Sequence, residues 1–318
     1  MGEESFIWTE KYRPSNFSEV KGQDEIVKKV KAFVEQKNLP HLLFSGPAGV
    51  GKSSLAIVVA KQLFGEDWRH NFLELNSSDE RGIDVVRVKV KDFARTKPLA
   101  GFPFKLIFLD ECDALTKEAQ QALRRTMENY TNSTRFLLSC NYVSKIIDPI
   151  QSRCVVFKFR PLEKKEIFEI IDKIAKKEEI EVTEDAKEAL VHISDGDCRK
   201  LENIMQSCAA VEKKITKDIV YSMASFAEPK EIKSILELAV SGDFLSARNK
   251  LLDVMLKQGL SGVDIIKQIQ KEVRNLSIDD KKKIRMIEKC GEIEFRMTEG
   301  SDEFIQLEAL MAGFGVQG

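Results

Sequence analysis

In the first half of the chain, short unbroken apolar runs alternate with longer segments in which apolar residues recur every third or fourth position. The runs are His41-Leu42-Leu43-Phe44-Ser45, Phe72-Leu73-Glu74-Leu75-Asn76, Leu106-Ile107-Phe108-Leu109-Asp110, Arg135-Phe136-Leu137-Leu138-Ser139-Cys140 and Val155-Val156-Phe157-Lys158-Phe159. Bounded by polar turns, they predict strands, those at 41–45 and 135–140 buried. Between them, Ile26, Val30, Phe33 and Val34 predict a helix from Asp24 to Gln36. Leu55, Ala56, Val58, Val59 and Leu63 predict another from Lys52 to Phe64, and Thr116 caps a third that runs to Asn129. The stretch 83–97 fits two patterns. Val86, Val88 and Val90 alternate with Arg87, Lys89 and Lys91 as in an exposed strand, yet Val86, Val90 and Phe93 also share one helical face. The helix is favoured because Lys91 to Thr96 continues it. Strands alternating with helices predict an α/β domain with a parallel doubly wound sheet, whose ligands bind at the carboxyl ends of the strands.

After Pro161 the pattern is helical throughout, near 164–178, 184–194 and 197–211, with Gly196 separating the last two. Pro229 marks a second break, followed by about five amphipathic helices with Gly242, Gly259 and Gly291 at or near their turns. The expected domains are therefore 1–160 (α/β), 161–227 (a small helical bundle) and 228–318 (all-α). The 318 residues, 43% hydrophobic and 32% charged, suit a soluble globular protein of two or three domains. The acidic start Met1-Gly2-Glu3-Glu4-Ser5 lacks the apolar core of an ordinary secretory signal, and no apolar run is long enough to span a bilayer. Six cysteines without a Cys-x-x-Cys pair indicate neither a zinc site nor a disulfide framework, and suggest a reducing, intracellular setting. A net charge of −1 argues against a uniformly basic coat, so any nucleic-acid surface must be a local patch.

The chemistry begins at Gly46-Pro47-Ala48-Gly49-Val50-Gly51-Lys52-Ser53, which has the spacing of a Walker A phosphate loop. Its glycines let backbone N–H groups turn inward around a polyphosphate, Lys52 supplies a charge for the β- and γ-phosphates, and the Ser53 hydroxyl can ligate Mg²⁺. The following helix aims its positive end at the same anion. The run ending in Asp110-Glu111 is a Walker B pattern: Asp110 can hold Mg²⁺ through Ser53 and water, and Glu111 can orient and deprotonate the attacking water. Asn141, after another strand, falls at the same edge. Trp8 to Pro14 reads as an ordered arm, with Pro14 biasing Arg13 toward extended backbone. Leu99, Phe102 and Phe104 sit in a loop where they either meet a partner or pack into the core.

Together these residues resemble the AAA+ ATPases and, within them, the archaeal small-subunit branch of the replication factor C clamp loaders. Glu10-Lys11-Tyr12-Arg13-Pro14 is similar to the family's N-terminal box, and Asp110-Glu111-Cys112-Asp113 to its Walker B. Gln121 to Glu128 resembles a characteristic helix, and Ser152-Arg153-Cys154 the motif that carries a trans-acting arginine. The resemblance runs from about residue 6 to the C-terminus, though the last ninety residues match only in helical pattern. It implies an ATP hydrolase that uses ATP and Mg²⁺, with a helical lid at 161–227 and an oligomerising collar at 228–318. Tyr12, Arg13, Val20 and Gln23 would lie near the adenine. Gly46, Pro47, Ala48, Gly49, Val50, Gly51, Lys52, Ser53 and Ser54 would surround the phosphates, Ser53 and Asp110 would hold the metal, and Glu111 would be catalytic. Asn141 would be a first sensor, Arg199 a second sensor from the lid, and Arg153 a finger reaching a neighbour's γ-phosphate. The implied partners are a large loader subunit, further copies of the small subunit, a sliding clamp and primer–template DNA read without sequence preference. The clamp contact is expected near Leu99–Phe104, and an archaeal setting would place the protein in the cytoplasm or nucleoid. Arg81, Arg87, Lys91 and Arg124 are the candidate phosphate contacts, although charge on a helix also serves as a plain solvated face. Two other roles compete: a processive AAA+ translocase such as a branch-migration motor, and a scaffold that binds ATP without hydrolysing it.

Overall fold

A computed structural model describes residues 6–79, 84, 86–99 and 101–315. The chain divides into two compact units, Met1–Ile180 with Leu190–Gln206, and Glu181–Ala189 with Ser207–Gly318.

The first unit opens with a single helical turn, α1 (Trp8–Lys11), then α2 (Asp24–Glu35). Strand β1 (His41–Ser45) leads into α3 (Lys52–Phe64), followed by β2 (Phe72–Asn76) and α4 (Lys91–Arg95). Next come β3 (Lys105–Asp110), α5 (Lys117–Asn129), β4 (Thr134–Cys140), α6 (Asp148–Gln151) and β5 (Cys154–Lys158), and α7 (Lys164–Glu178) follows. The five strands form one parallel sheet in the order β2-β3-β4-β1-β5, with Leu42 opposite both Leu137 and Val155. Side chains alternate across it, as the pleat requires. Leu42, Phe44, Phe108 and Leu137 pack with Val30 and Val34 of α2 and Leu55, Val58 and Val59 of α3. Leu43, Ile107, Leu109 and Leu138 pack on the other face with Val90, Ala94 of α4, Leu123 and Met127 of α5, and Ile150 of α6. Burial on both faces is why the central strands β1, β3 and β4 read as apolar runs, while the edge strands β2 and β5 stay partly exposed.

Of the two patterns at 83–97, the chain adopts the helical one: a widened π turn, Val86–Val90, runs into α4. Thr116 caps α5 by accepting from Ala119 N at 3.2 Å. The loop at 99–104 divides its apolar residues. Phe104 is buried with the Arg135 guanidinium 4.9 Å above its ring, Phe102 meets Phe64 edge-on at 5.0 Å, and Leu99 stays 53% exposed. The N-terminal arm is tied down at two points. Gln206 accepts from Trp8 N at 3.0 Å and donates to Phe6 O at 2.7 Å, while Glu178 takes an ion pair from Lys11 at 2.7 Å and the Tyr12 hydroxyl proton.

Helices α8 (Glu184–Ser194) and α9 (Cys198–Val211) carry residues of both units. In the second unit β6 (Glu181–Val182) pairs in parallel with β7 (Lys214–Ile215), ahead of α10 (Lys217–Met223). Helices α11 (Pro229–Val240), α12 (Phe244–Gln258), α13 (Gly262–Val273), α14 (Asp280–Thr298) and α15 (Glu303–Gly315) follow. They close on one core that includes Ile232, Leu236, Leu251, Ile265, Ile269, Leu307 and Phe314.

Gly291 corrects the expected turn positions. Gly259 ends α12 in left-handed backbone and Gly242 turns just after α11, but Gly291 lies inside an unbroken α14. Met286, Cys290, Ile293 and Met297 bury one stripe of that helix, and their burial outweighs the roughly 1 kcal/mol a mid-helix glycine costs. A Cβ at Gly291 would meet nothing within 4 Å. Gly291→Ala should therefore stabilise the second unit by about 1 kcal/mol, read as a higher thermal midpoint.

Candidate nucleotide site

The loop between β1 and α3 depends on glycine at two tight places. Gly46 has φ +153°, and a Cβ there would fall 2.6 Å from the Phe159 carbonyl oxygen. Gly49 has φ +69°, and a Cβ there would fall 1.7 Å from Asp197 Oδ1. The first turn of α9 therefore lies directly on the loop, and Cys198 N donates to Gly49 O at 3.0 Å. At the start of α3 the buried Lys52 ammonium donates to the carbonyls of Gly46 and Pro47, both at 2.6 Å, and to Asn141 Oδ1 at 3.2 Å. Burial lowers its pKa, with the nearby Asp110 carboxylate opposing. Ser53 Oγ donates to Asp110 Oδ2 at 2.5 Å. That pairs a hydroxyl with a carboxylate oxygen, the hard donors Mg²⁺ prefers.

Glu111 follows β3 in left-handed backbone, φ +51°, with its N–H donating to Asp110 Oδ1 at 3.0 Å. A non-glycine residue there carries strain of order 1–3 kcal/mol. The next turn anchors it, since Asp113 Oδ2 accepts from Asn141 N at 3.3 Å and Tyr142 N at 3.4 Å. The Lys52–Asn141 and Ser53–Asp110 pairs thus sit side by side at the carboxyl edge of the sheet, joined through the adjacent residues Lys52 and Ser53.

A cavity opens over this group. Its walls include Ala48 to Ser54, Asp110, Glu111 and Asn141, together with Tyr12, Arg13 and Val20 of the N-terminal segment and Arg199 of α9. Its lining does not include Gly46, Pro47 or Gln23. Gln23 instead grips the Arg160 backbone, donating from Nε2 to the carbonyl at 2.7 Å and accepting from the amide at 3.4 Å. Sequence reasoning missed the wall made by Leu162, Ile170, Lys173 and Ile174 and by Glu202 of α9. The 170/173/174 spacing marks one face of α7, but no motif says which ligand that face meets.

Glu202 is 6% exposed, and burial pushes its carboxyl up to about 7 from an ordinary 4.5. A proton from the Cys198 thiol at 3.4 Å opposes the rise, as do Lys173 and Arg199, while Asp197 adds to it. As pH rises from 4.5 to about 7, the unfolded chain ionises this group while the folded chain keeps it protonated, so folding stability falls across that window and the loss persists above it. Glu202→Gln removes the loss, on the order of 3 kcal/mol. The variant should melt above the native protein near pH ~8, with the gap closing by pH ~4.5.

Arg153 lies away from this cavity lining. Its Nη1 donates to Pro149 O at 2.7 Å and its Nη2 pairs closely with Glu128 of α5. Arg124 reaches the same Glu128 oxygen at 3.4 Å, and its Nε is buried without a partner among the described residues. Lys91 is exposed on α4. Arg81 and the side chain of Arg87 lie outside the described residues.

A phosphate loop, a paired carboxylate strand end and a parallel doubly wound sheet define a nucleotide-binding ATPase of the AAA class. The family model of ATPases associated with various cellular activities matches residues 42–162, and that of the replication factor C C-terminal domain matches 227–313. The model of the Holliday junction DNA helicase RuvB P-loop domain matches 12–71. Replication factor C small subunits of Methanococcus vannielii and Archaeoglobus fulgidus are 54% and 53% identical over 97% and 96% of this chain, covering 98% and 96% of their own lengths. The chain belongs to the replication factor C small subunit family. Its fold is also similar to the solved Thermotoga maritima RuvB Holliday junction branch migration motor. That match has a TM-score of 0.55 and 20% identity, over 72% of this chain and 79% of that one.

Proposed function

We propose that the chain is a small ATPase subunit of a clamp loader that opens a sliding clamp and places it on primed template DNA. In this reading residues 1–160 bind the nucleotide, 161–227 form a lid and 228–318 a collar that joins a large subunit and further small subunits. ATP occupies the cavity over β3 and β4, with its base beside Tyr12, Arg13 and Val20 and its phosphates within the loop from Gly46 to Ser54. Lys52 and Arg199 bind phosphate oxygens, Asn141 positions the γ-phosphate or the attacking water, and Glu111 takes the proton from that water. Ser53 and Asp110 would hold Mg²⁺, which neutralises charge on the phosphates when bound.

The observation that carries this reading is the separation of Arg153 from the group formed by Lys52, Ser53, Asp110 and Asn141. An arginine held at the surface by Glu128, outside its own chain's cavity lining, supports a working site shared by two chains. Lys91 and Arg124, with Arg81 and Arg87, would hold DNA phosphates, and exposed Leu99 would meet the clamp. No helix among the described residues is long and apolar enough to cross a membrane.

The branch-migration reading draws on the RuvB-like fold, but at 20% identity that likeness speaks for the fold alone. The test is steady-state ATP turnover by this chain with its large subunit, with and without clamp and primed DNA. Stimulation by both supports the clamp-loader role. Turnover indifferent to both, or coupled to strand displacement, overturns it.

A further inference from the structure

Among the cavity-lining groups that the roles above leave unused, Glu202 is the most deeply buried carboxyl. Glu202 sits one helical turn beyond Arg199 on α9, in the same wall as the apolar Leu162, Ile170 and Ile174. Its carboxyl is almost wholly buried, and among the described residues its only hydrogen-bond donor is the Cys198 thiol, a weak one, at 3.4 Å on Oε1. A buried carboxylate with one weak donor is costly, and native proteins keep such groups where a ligand or a reaction supplies the missing partner. The place narrows the ligand atom. Phosphates carry only acceptors at neutral pH and would be repelled by a carboxylate, and the loop and Lys52 lie at the other end of α9's first turn, where Cys198 N meets Gly49 O. Apolar lining residues in the same cavity as a carboxyl acceptor suit the nucleoside, whose donors are the exocyclic amine of the base and the ribose hydroxyls.

We propose that Glu202 is a specificity-determining residue of this site, accepting a hydrogen bond from a nucleoside donor and so selecting which nucleotide the cavity retains. The proposal rests on the cavity being the nucleotide site. The charged and titratable groups that bear on Glu202 are Lys173 from α7 and Asp197, Cys198 and Arg199 from its own helix end. Because burial holds its carboxyl near 7, the acceptor is fully charged only above neutral pH. A charge-assisted bond is roughly twice as strong as a neutral one, so selection should sharpen as pH rises.

The experiment compares equilibrium binding of ATP, inosine triphosphate (which lacks the amine) and 2′-deoxyATP to the native chain and to Glu202→Leu. Native protein should prefer ATP over one analogue by about tenfold, the worth of one hydrogen bond to a charged group, and Glu202→Leu should lose that preference. Which analogue is penalised tells whether the base amine or the ribose hydroxyl is read. The native preference should also grow severalfold between pH ~6 and ~8, a readout that needs no variant and in which the shared triphosphate titration cancels. Equal preferences in native and variant protein, or a native preference flat with pH, overturn the proposal. ATP binding that survives Lys52→Ala unchanged would instead overturn the placing of the nucleotide site itself.

Discussion

Arg153→Ala should lower ATP turnover by the assembled loader about a thousandfold, the worth of a trans-acting arginine at a phosphoryl-transfer transition state, while each chain binds ATP as before. Binding is expected to hold because Arg153 does not line its own chain's cavity; it is held instead by Pro149 O and by Glu128 of α5. Glu128 also takes Arg124, so one carboxylate orients two guanidinium groups on a single exposed face. Arg153→Lys should recover little, since an ammonium cannot reproduce a planar fork that spans two phosphate oxygens. The measurement is steady-state turnover of the complex with clamp and primed DNA, beside fluorescent-nucleotide titration of the same protein. Turnover that survives the substitution would remove the shared-site mechanism, and ATP binding lost with it would mean that the arginine serves its own chain.

The sheet was legible because its central strands β1, β3 and β4 are buried on both faces and the loop between β1 and α3 has a spacing few other structures need. The five strands lie within a residue or so of the apolar runs that mark them. Gly291 was misread because a glycine looks alike in a turn and on the exposed side of a long helix. Only the buried stripe from Met286 to Met297 distinguishes them, and that stripe needs a partner surface to be recognised. The phosphate end of the cavity follows a local motif, since Lys52 and Ser53 are chain neighbours of the glycines that bend the backbone. The rest of the lining comes from residues more than a hundred positions apart, such as Val20, Ile170 and Glu202, whose side chains carry no spacing rule. Gln23 shows the converse. The resemblance implied a base contact, yet its amide bonds the Arg160 backbone and does not line the cavity.

Glu111→Gln should slow hydrolysis by about 10²–10⁴-fold, the usual contribution of a general base, without weakening ATP binding. The amide keeps the size and backbone strain of the original. Its left-handed φ of +51° is held by the Glu111 N–H to Asp110 Oδ1 bond and by Asp113 anchoring Asn141 and Tyr142, none of which involves the Glu111 carboxylate. What the variant loses is the ability to accept a proton from the attacking water. Lys52→Ala should separate from it by lowering affinity, because in the proposed site Lys52 would bring charge to the phosphates themselves. Single-turnover cleavage of prebound ATP distinguishes the two. Glu111→Gln should hold uncleaved ATP through many native turnover times, whereas Lys52→Ala should hold little ATP at all. Cleavage at the native rate in Glu111→Gln would mean that the strained turn after β3 serves to place Asp110 and Asp113 rather than to present a base. The strain itself favours the first outcome: it turns a carboxylate out into the cavity wall beside the phosphate loop, where a purely structural turn would have no need of one.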